Sequence, residues 1–157
     1  MRVHRGAAMK VQDVLTHKGS DVYTIDVEKT VDDAIDEMAA KHVSALIVME
    51  KGRPAGIFTE RDVLKIHVKF RDKPFEAIAV RDAMTEKLIV ARPDDDLNAV
   101  MSAMIQADIR HMPVVSEGRI IGVLSIRDII HQYVGSLKAE LTYLQDYISR
   151  LEDAQHD

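Results

Sequence analysis

Two copies of a hydroxyl-x-x-Asp element are the residues of this sequence best suited to chemistry. Thr59 precedes Asp62, and Ser125 precedes Asp128 at the same spacing. This spacing is typical of a capping box at the start of a helix, and that structural role alone explains both copies. A helix start also presents free backbone N–H groups to an anion, and a carboxylate there can accept hydrogen bonds from the two ribose hydroxyls of a nucleotide. The element therefore fits either a helix cap or a site for an adenosine-like ligand.

Basic residues and glycines accompany both copies of the element. Arg61 and Arg127 fall in the first turn of the expected helices, where the helix dipole disfavours a cation. We therefore expect each arginine to face an acidic neighbour or a bound anion. Gly56 and Gly122 come three residues before the hydroxyl residue, where a missing side chain lets another backbone or a flat base approach. An ordinary surface ion pair and a hairpin glycine are the alternative explanations.

A third basic feature is the stretch "IRHMPVV", in which Arg110 and His111 stand directly before a strand. A guanidinium beside an imidazole offers positive charge to phosphate oxygens, although a solvated strand end explains the pair equally well. His111 is also the one candidate for a general base if the chain is a small nucleotide hydrolase. The sequence has no Cys, no H-x-x-x-H, no G-x-S-x-G, no Walker loop and no G-x-G-x-x-G. We therefore expect neither a metal centre nor an enzyme.

The elements that must position these residues occur twice, because the sequence is internally duplicated. Residues 30–65 align with residues 96–131 at an offset of 66 without a gap. In each copy, apolar residues first follow helical periodicity, with Thr30 or Asp96 as the expected N-cap. Two short apolar runs split by a Gly-containing turn then predict a hairpin, and a second helix starts at Thr59 or Ser125.

A short strand is expected ahead of each of these units, at Tyr23–Ile25 and at Ile89–Ala91. Each copy then has the order β-α-β-β-α. Near-continuous apolar strands need cover on both faces, which one copy cannot provide. The sequence therefore predicts a mixed α/β (α+β) fold in which two repeats pack about a pseudo-twofold axis, with a helical extension after them.

The C-terminal residues carry a heptad pattern about three repeats long. One interpretation is a helix that folds back on its own domain, and the other is a parallel or antiparallel dimer seam. Gly135 favours a break in this helix. The apolar residues alternate at spacings of four and three: Ile130, Val134, Leu137, Leu141, Leu144, Ile148 and Leu151.

Taken as a set, "DVLT" and "DAMT", "RHMPVV", and "GIFTERD" and "GVLSIRD" make residues 9–134 resemble a CBS domain pair, named after cystathionine beta-synthase. The resemblance implies a regulatory module that binds adenosine-containing ligands in clefts between its repeats. It implies that Asp62 and Asp128 hold ribose and that Thr59 and Ser125 lie near phosphate. The residues bordering adenine would be Tyr23, Thr24, Ile89 and Val90, with Thr16 and Thr85 nearby. The base and phosphate side of a cleft would be lined by Arg110, His111, Met112 and Pro113.

The first copy departs from the family pattern, because it reads "VSALIVM" where the second reads "IRHMPVV". A basic phosphate contact is missing from that strand, so we expect the two sites to differ. Arg61, Arg127, Arg110 and His111 offer positive charge, which favours AMP, ADP, ATP or NAD(H) over S-adenosylmethionine. The rival hypotheses are a dimeric interaction scaffold without a ligand, an S-adenosylmethionine sensor and a transcription-associated regulator.

Length and composition limit the remaining classes. The chain has 157 residues, of which 46% are hydrophobic, as expected for a globular protein. Its net charge of -5 disfavours direct binding to nucleic acid or to an anionic membrane. The absence of Cys is compatible with a cytoplasmic location, and no apolar run approaches the roughly 20 residues of a membrane span. We expect a homodimer or higher oligomer, formed through the CBS faces and the C-terminal helix. The expected organisation is a disordered extension (1–8), a first repeat (9–68), a linker (69–78), a second repeat (79–134) and a C-terminal amphipathic helix (135–157).

Overall fold

Two β-hairpins, each leading into a helix, form the framework of the protein in its computed structural model, which describes residues 8–156. Apart from its last residue, the extension expected at 1–8 lies outside the described residues. The strands are β1 (Thr24–Asp26), β2 (Ala45–Glu50), β3 (Arg53–Thr59), β4 (His111–Ser116) and β5 (Arg119–Ser125). The α-helices are α1 (Val11–Lys18), α2 (Val31–Lys41), α3 (Glu60–Lys69), α4 (Val80–Ala83), α5 (Leu97–Ala107) and α6 (Ile126–His156). This order confirms the mixed α+β class.

The two hairpins match each other residue by residue. β2 pairs antiparallel with β3, β4 pairs antiparallel with β5, and the two registers differ by the repeat offset, bulge included. At the turns, Lys51 and Gly52 have φ of 50° and 77°, and Glu117 and Gly118 have φ of 51° and 74°. Two successive residues with positive φ suit the right-handed twist of a tight hairpin, and glycine adopts such a φ without steric cost.

The helix before each hairpin, α2 in the first repeat and α5 in the second, is capped as the sequence predicts. The Thr30 side chain accepts a hydrogen bond of 3.1 Å from the Asp33 N–H, and the Asp96 side chain accepts one of 3.2 Å from the Ala99 N–H. Each helix ends at a residue in the left-handed conformation, His42 for α2 and Asp108 for α5. His42 and Asp108 therefore occupy equivalent positions in the two repeats, at the C-terminal ends of α2 and α5.

The short strand ahead of the first repeat is held by two backbone bonds at its ends. The Ile47 N–H donates to the Tyr23 carbonyl at 2.9 Å, and the Val27 N–H donates to the Met49 carbonyl at 3.0 Å. β1 therefore pairs in parallel with β2 over three residues.

The strand predicted at Ile89–Ala91 is wrong, because the second repeat keeps only one bridge there, between Ala91 and Val114. In the first repeat the donors are the N–H groups of Ile47 and Val27. At the repeat offset of 66 these positions are occupied by Pro113 and Pro93. Proline has no N–H, so neither flanking hydrogen bond can form. The segment before α5 is therefore pinned to β4 at Ala91 alone.

The apolar residues form two cores, and the leading helix of each repeat packs in the core of the other. α1 contributes Val11, Val14 and Leu15 to the core built on β4, β5, α5 and the start of α6. α4 contributes Val80 and Ala83 to the core built on β1, β2, β3, α2 and α3. The two repeats are thereby interlocked rather than merely adjacent.

The predicted linker at 69–78 is packed against the first core. Ile78 is buried, and its carbonyl accepts a hydrogen bond of 2.8 Å from the Val31 N–H. A short 3-10 helix at Phe75–Ala77 follows Pro74. The end of the connection between the repeats is therefore held against the first repeat.

The C-terminal helix α6 runs without interruption from Ile126 to His156, so the break favoured by Gly135 does not occur. Its first turns are anchored, since Ile129 is fully buried and the Tyr133 hydroxyl donates to Asn98. The helix does not fold back on its own domain, because every residue of the heptad seam is between 43% and 60% exposed. Among the helices of residues 8–156, α6 included, none combines the length and the apolar character needed to cross a membrane.

Candidate functional site: two clefts between the repeats

Two clefts lie between the repeats. The first combines α3 of the first repeat with β4 of the second, and the second combines α6 of the second repeat with β2 of the first. The first cleft has a volume of about 290 Å³ and the second about 470 Å³. The first is lined by Ile57, Thr59–Asp62 and Lys65, by Thr85 and Lys87–Ile89, and by Ala107–His111 and Pro113. The second is lined by Val123, Ser125, Arg127, Asp128 and His131, by Lys18, Gly19, Asp21 and Tyr23, and by Lys41–Ala45 and His111.

Asp62 is the buried carboxylate of the first cleft, with only 5% of its surface exposed. One oxygen accepts hydrogen bonds from the Thr59 N–H at 2.9 Å and from the Thr59 hydroxyl at 3.3 Å. The other oxygen accepts a bond of 3.3 Å from the Thr85 hydroxyl. A carboxylate has about four acceptor positions, so the oxygen facing Thr85 can accept a further donor.

Thr85 is also joined to strand β3 through its backbone. Its N–H donates to the Ile57 carbonyl at 2.9 Å, and its carbonyl accepts from the Ile57 N–H at 3.0 Å. Gly56 makes this approach possible, because a Cβ there would lie 2.6 Å from the Thr85 carbonyl oxygen. The prediction that a glycine at this position admits another backbone is confirmed for Gly56. At Gly122 the neighbour is instead the side chain of Leu15.

Arg61 forms an ion pair with an acidic residue, as its place in the first helical turn predicts. Its guanidinium lies 3.3 Å from the Asp108 carboxylate and also donates to the Asp108 carbonyl. Asp108 ends α5 of the other repeat, so this pair bridges the first cleft. At the equivalent position the second cleft has His42, and the ion pairs found among residues 8–156 give Arg127 no acidic partner.

His111 lies at the boundary of the two clefts and lines both. A hydrogen bond of 2.7 Å joins its Nε2 to the hydroxyl of Ser44. Burial lowers the pKa of His111 to about 4, and the nearby charges of Lys18, Arg110 and Arg61 act in the same direction against the opposing effect of Asp128. An imidazole with this pKa is neutral at pH 7, so the positive charge expected from the Arg110–His111 pair is that of Arg110.

Ser125 and Asp128 form a reciprocal capping box at the start of α6. The Ser125 N–H donates to the Asp128 carboxylate at 3.0 Å, and the Asp128 N–H donates to the Ser125 hydroxyl at 3.0 Å. The ammonium of Lys18 donates to the same carboxylate and to the Val123 carbonyl. Burial raises the pKa of Asp128, but the hydrogen bonds from Lys18 and Ser125 outweigh it, so that pKa lies below its usual value.

The structure distributes the predicted site residues between the clefts and leaves four of them outside both linings. The first cleft brings together Thr59, Arg61, Asp62, Thr85, Ile89, Arg110, His111 and Pro113. The second brings together Tyr23, Ser125, Arg127 and Asp128, again with His111. Thr24 and Val90 line neither cleft, Met112 is buried in the second core, and the Thr16 hydroxyl is turned back to the Gln12 carbonyl at 2.9 Å.

Three basic or polar residues of the clefts were missed from the sequence. Lys18 and Lys87 stand at the same place after "DVLT" and "DAMT", in the stretches "DVLTHK" and "DAMTEK", and this match was the signal that could have revealed them. Ser44 corresponds to Arg110 at the repeat offset. The second cleft, which contains Ser125 and Asp128, therefore has Ser44 at the place where the first cleft has Arg110.

Known proteins are similar to this chain in sequence and in fold. A family model described as CBS domain matches residues 11–69 and 80–135. The mitochondrial CBS domain-containing protein CBSX3 of Arabidopsis thaliana is 36% identical over 148 residues, which cover 88% of this chain and 71% of that protein. The crystal structure of the CBS-domain containing protein ATU1752 from Agrobacterium tumefaciens has 30% identity and a TM-score of 0.76, with 83% of this chain and 98% of that chain covered.

A more distant structure carries adenosine compounds. The CBS domain pair of protein MJ0100, in complex with 5'-methylthioadenosine and S-adenosyl-L-methionine, has a TM-score of 0.72 at 21% identity, with 83% of this chain and 99% of that chain covered. At this identity the likeness shows the fold. The chain spans 38% and 54% of the length of two archaeal relatives, from Methanocaldococcus jannaschii and Methanopyrus kandleri.

CBS pair proteins are regulatory modules that often bind adenosine ligands, and those that stand alone are generally non-catalytic. The two matched segments together make up more than half of the chain. The chain belongs to the CBS domain family.

Proposed function

We propose that the protein is a regulatory, energy-sensing module that binds an adenosine nucleotide, AMP, ADP, ATP or NAD(H), in the first cleft. The observation that carries the proposal is the buried carboxylate of Asp62, held at the start of α3 with acceptor capacity left and with Arg110 lining the same cleft. The carboxylate suits ribose hydroxyls and the guanidinium suits phosphate. Ile57, Ile89 and Pro113 offer apolar surface for the base.

The nucleotide would act by closing the cleft across the two repeats. The Arg61–Asp108 pair already joins opposite walls of the first cleft. A ligand that contacts both walls favours the closed arrangement by its difference in affinity for the two states. A regulated protein partner would read the resulting shift between repeats or subunits.

A thermal-shift panel of AMP, ADP, ATP, NAD+, NADH, S-adenosylmethionine and GTP tests this proposal. A ligand at about 100 times its dissociation constant stabilises the folded state by roughly 2.7 kcal/mol, which is several degrees for a chain of this size. We expect the shift from adenine nucleotides to shrink in Arg110→Ala and to persist in Arg119→Ala, which removes an exposed arginine at the β4–β5 turn. No shift from any adenine compound would contradict the proposal.

We propose no catalytic step. The one candidate base, His111, has a pKa of about 4 because it is buried, and a general base works best with a pKa near the working pH. Hydrolysis of ATP by the wild-type protein that is lost in His111→Gln would overturn this part. We likewise propose a cytoplasmic protein without direct contact to nucleic acid or membrane, organised as repeats at 9–68 and 79–134.

We propose that two copies associate through the seam of α6 and the exposed helix faces of the repeats. Leu64 and Val68 on α3 are 70% and 60% exposed, and their repeat equivalents Ile130 and Val134 begin the seam on α6. A heptad pattern on an isolated, projecting helix buries its apolar residues only against a second helix. The rival scaffold hypothesis keeps this dimer and removes the ligand, so the thermal-shift panel separates the two.

A further inference from the structure

Lys18 reaches into the second cleft from a fixed position. It is the last residue of α1, whose Val11, Val14 and Leu15 are buried in the second core. Its ammonium donates to the Asp128 carboxylate and to the Val123 carbonyl. The side chains of Lys18 and Asp128 are 33% and 23% exposed, so this pair is partly shielded from water. The packing of α1 therefore holds the Lys18 ammonium beside the Asp128 carboxylate.

The first cleft makes the equivalent contacts without a charge. There the Thr85 N–H donates to the Ile57 carbonyl, and the Thr85 hydroxyl donates to Asp62. Ile57 and Val123 are repeat equivalents, as are Asp62 and Asp128. One ammonium in the second cleft thus stands in place of one backbone N–H and one hydroxyl in the first.

The length of the leading helix explains this exchange. Counted from "DAMTEK" and "DVLTHK", Thr85 matches Thr16 and Lys87 matches Lys18. α4 ends at Ala83, so the chain turns and Thr85 pairs with β3. α1 instead continues to Lys18. Thr16 therefore lies within the helix, where its hydroxyl donates to the Gln12 carbonyl, and Lys18 lies close enough to contact Asp128. Lys87 lines the first cleft but forms no ion pair with Asp62 in the described structure.

The remaining charges of the second cleft also favour an anion. Lys41 and Arg127 line it, and position 42 is histidine where the first cleft has the aspartate that pairs with Arg61. The Asp128 charge is already neutralised by Lys18, which leaves Asp21 as the remaining carboxylate among the lining residues. A cationic ligand would have to displace the Lys18 ammonium or lie beside it, and both are unfavourable.

We propose that Lys18 sets the ligand class of the second cleft, so that this cleft accepts an anionic adenosine nucleotide and excludes a cationic adenosine ligand. The inference rests on the proposed function, because it assumes that the clefts take adenosine compounds. It assigns to Lys18 a specificity role that differs from that of Lys87 at the matching position of the first cleft.

Isothermal titration with AMP as the anionic probe and S-adenosylmethionine as the cationic probe tests the proposal. The titrations use Arg110→Ala protein, in which the first cleft is weakened, so that the second cleft dominates the heat. Replacing Lys18 with methionine keeps the apolar stem and removes the charge. We expect AMP to bind at least about tenfold more weakly, the size of one charge-assisted hydrogen bond, and S-adenosylmethionine to bind more tightly. Lys18→Arg should keep the preference for AMP.

Two further variants show whether the effect passes through Asp128. In Asp128→Asn protein, Lys18→Met should no longer improve the binding of S-adenosylmethionine, because the unpaired carboxylate that attracts it is absent. Lys51→Met is the control and should leave both affinities within about twofold, since it removes an exposed charge at the β2–β3 turn, outside both clefts.

The outcomes separate this proposal from the proposed function. If no adenine compound binds even to the wild-type protein, the proposed function fails and the role of Lys18 falls with it. If the wild-type protein binds AMP, but Lys18→Met binds both probes as its parent does, only the role of Lys18 is overturned. A loss of AMP binding without any gain for S-adenosylmethionine would also overturn it, because damage to the cleft would weaken both probes.

Discussion

The neutral, buried imidazole of His111 should make the stability of the protein depend on pH between about 4 and 6.5. In the unfolded chain the pKa returns to the ordinary value of 6.5, whereas burial, with Lys18, Arg110 and Arg61 nearby and Asp128 opposing, lowers it to about 4 in the folded protein. The unfolded state therefore binds the extra proton first as the pH falls. The contribution of His111 is fully present above pH 6.5 and is lost as the pH falls to 4.

The size of this loss follows from the two pKa values. The full difference between 6.5 and about 4 corresponds to roughly 3 kcal/mol of unfolding free energy, at about 1.4 kcal/mol for each pKa unit. At pH 5 about 2 kcal/mol of it should already be gone, because the unfolded histidine is almost fully protonated there and the folded one is not. We would measure urea unfolding of the ligand-free protein at pH 7.5 and pH 5, with circular dichroism as the signal.

The matched variant is His111→Gln, which does not titrate and keeps a polar atom near Ser44. The wild-type protein should lose about 2 kcal/mol more than this variant between the two pH values. His67→Asn, on α3 and outside both clefts, serves as the control and should behave like wild type. Equal losses in wild type and His111→Gln would refute the argument that burial holds this imidazole neutral.

The other predictions concern the seam, the glycines and the lost strand. Leu141→Asp, in the middle of the seam, should convert the dimer to a monomer in multi-angle light scattering and leave nucleotide-induced thermal shifts intact; a dimer that survives it would refute the seam. Gly56→Ala should destabilise the protein by at least about 2 kcal/mol in chemical denaturation, because the new methyl meets the Thr85 carbonyl oxygen at 2.6 Å, whereas Gly122→Ala meets a movable leucine side chain and should cost less than about 1 kcal/mol. Equal costs would contradict that account. Pro113→Ile restores a backbone donor, so we expect the amide at position 113 to be protected from hydrogen exchange; rapid exchange there would show that the missing donor is not what shortens the strand.

The repeat offset predicted the hairpins, their turns, the caps at Thr30 and Asp96 and the paired helix starts, because all of these depend on short-range patterns that both copies share. It could not predict which residues face each other across a cleft. Alignment of one copy over the other relates Asp62 to Asp128, but the cleft joins Asp62 to Arg110 of the other copy. That pairing is set by how the repeats pack, which the offset does not contain.

Two differences between the predicted and the observed structure arise from single features in which the repeats differ. The strand predicted at Ile89–Ala91 is reduced to a bridge because prolines at 93 and 113 remove its donors, a rule of local chemistry that was available in the sequence. The place of Lys18 depends instead on where α1 ends, and helix ends are poorly determined by periodicity. The apolar seam of α6 was visible as a pattern, but only its exposure shows that the helix stands away from its own domain.

The exchange of leading helices has a consequence for synthesis of the chain on the ribosome. The apolar face of α1 packs against residues that lie between Ala91 and Ile129, so it has no native cover until most of the chain has been made. At about 5–20 residues per second, Val11, Val14 and Leu15 wait for roughly 6–23 s before their core is complete. The first repeat likewise lacks α4 until residue 83 has emerged. We therefore expect the nascent first repeat to stay incompletely folded, and the pair to complete its folding in one cooperative step late in translation.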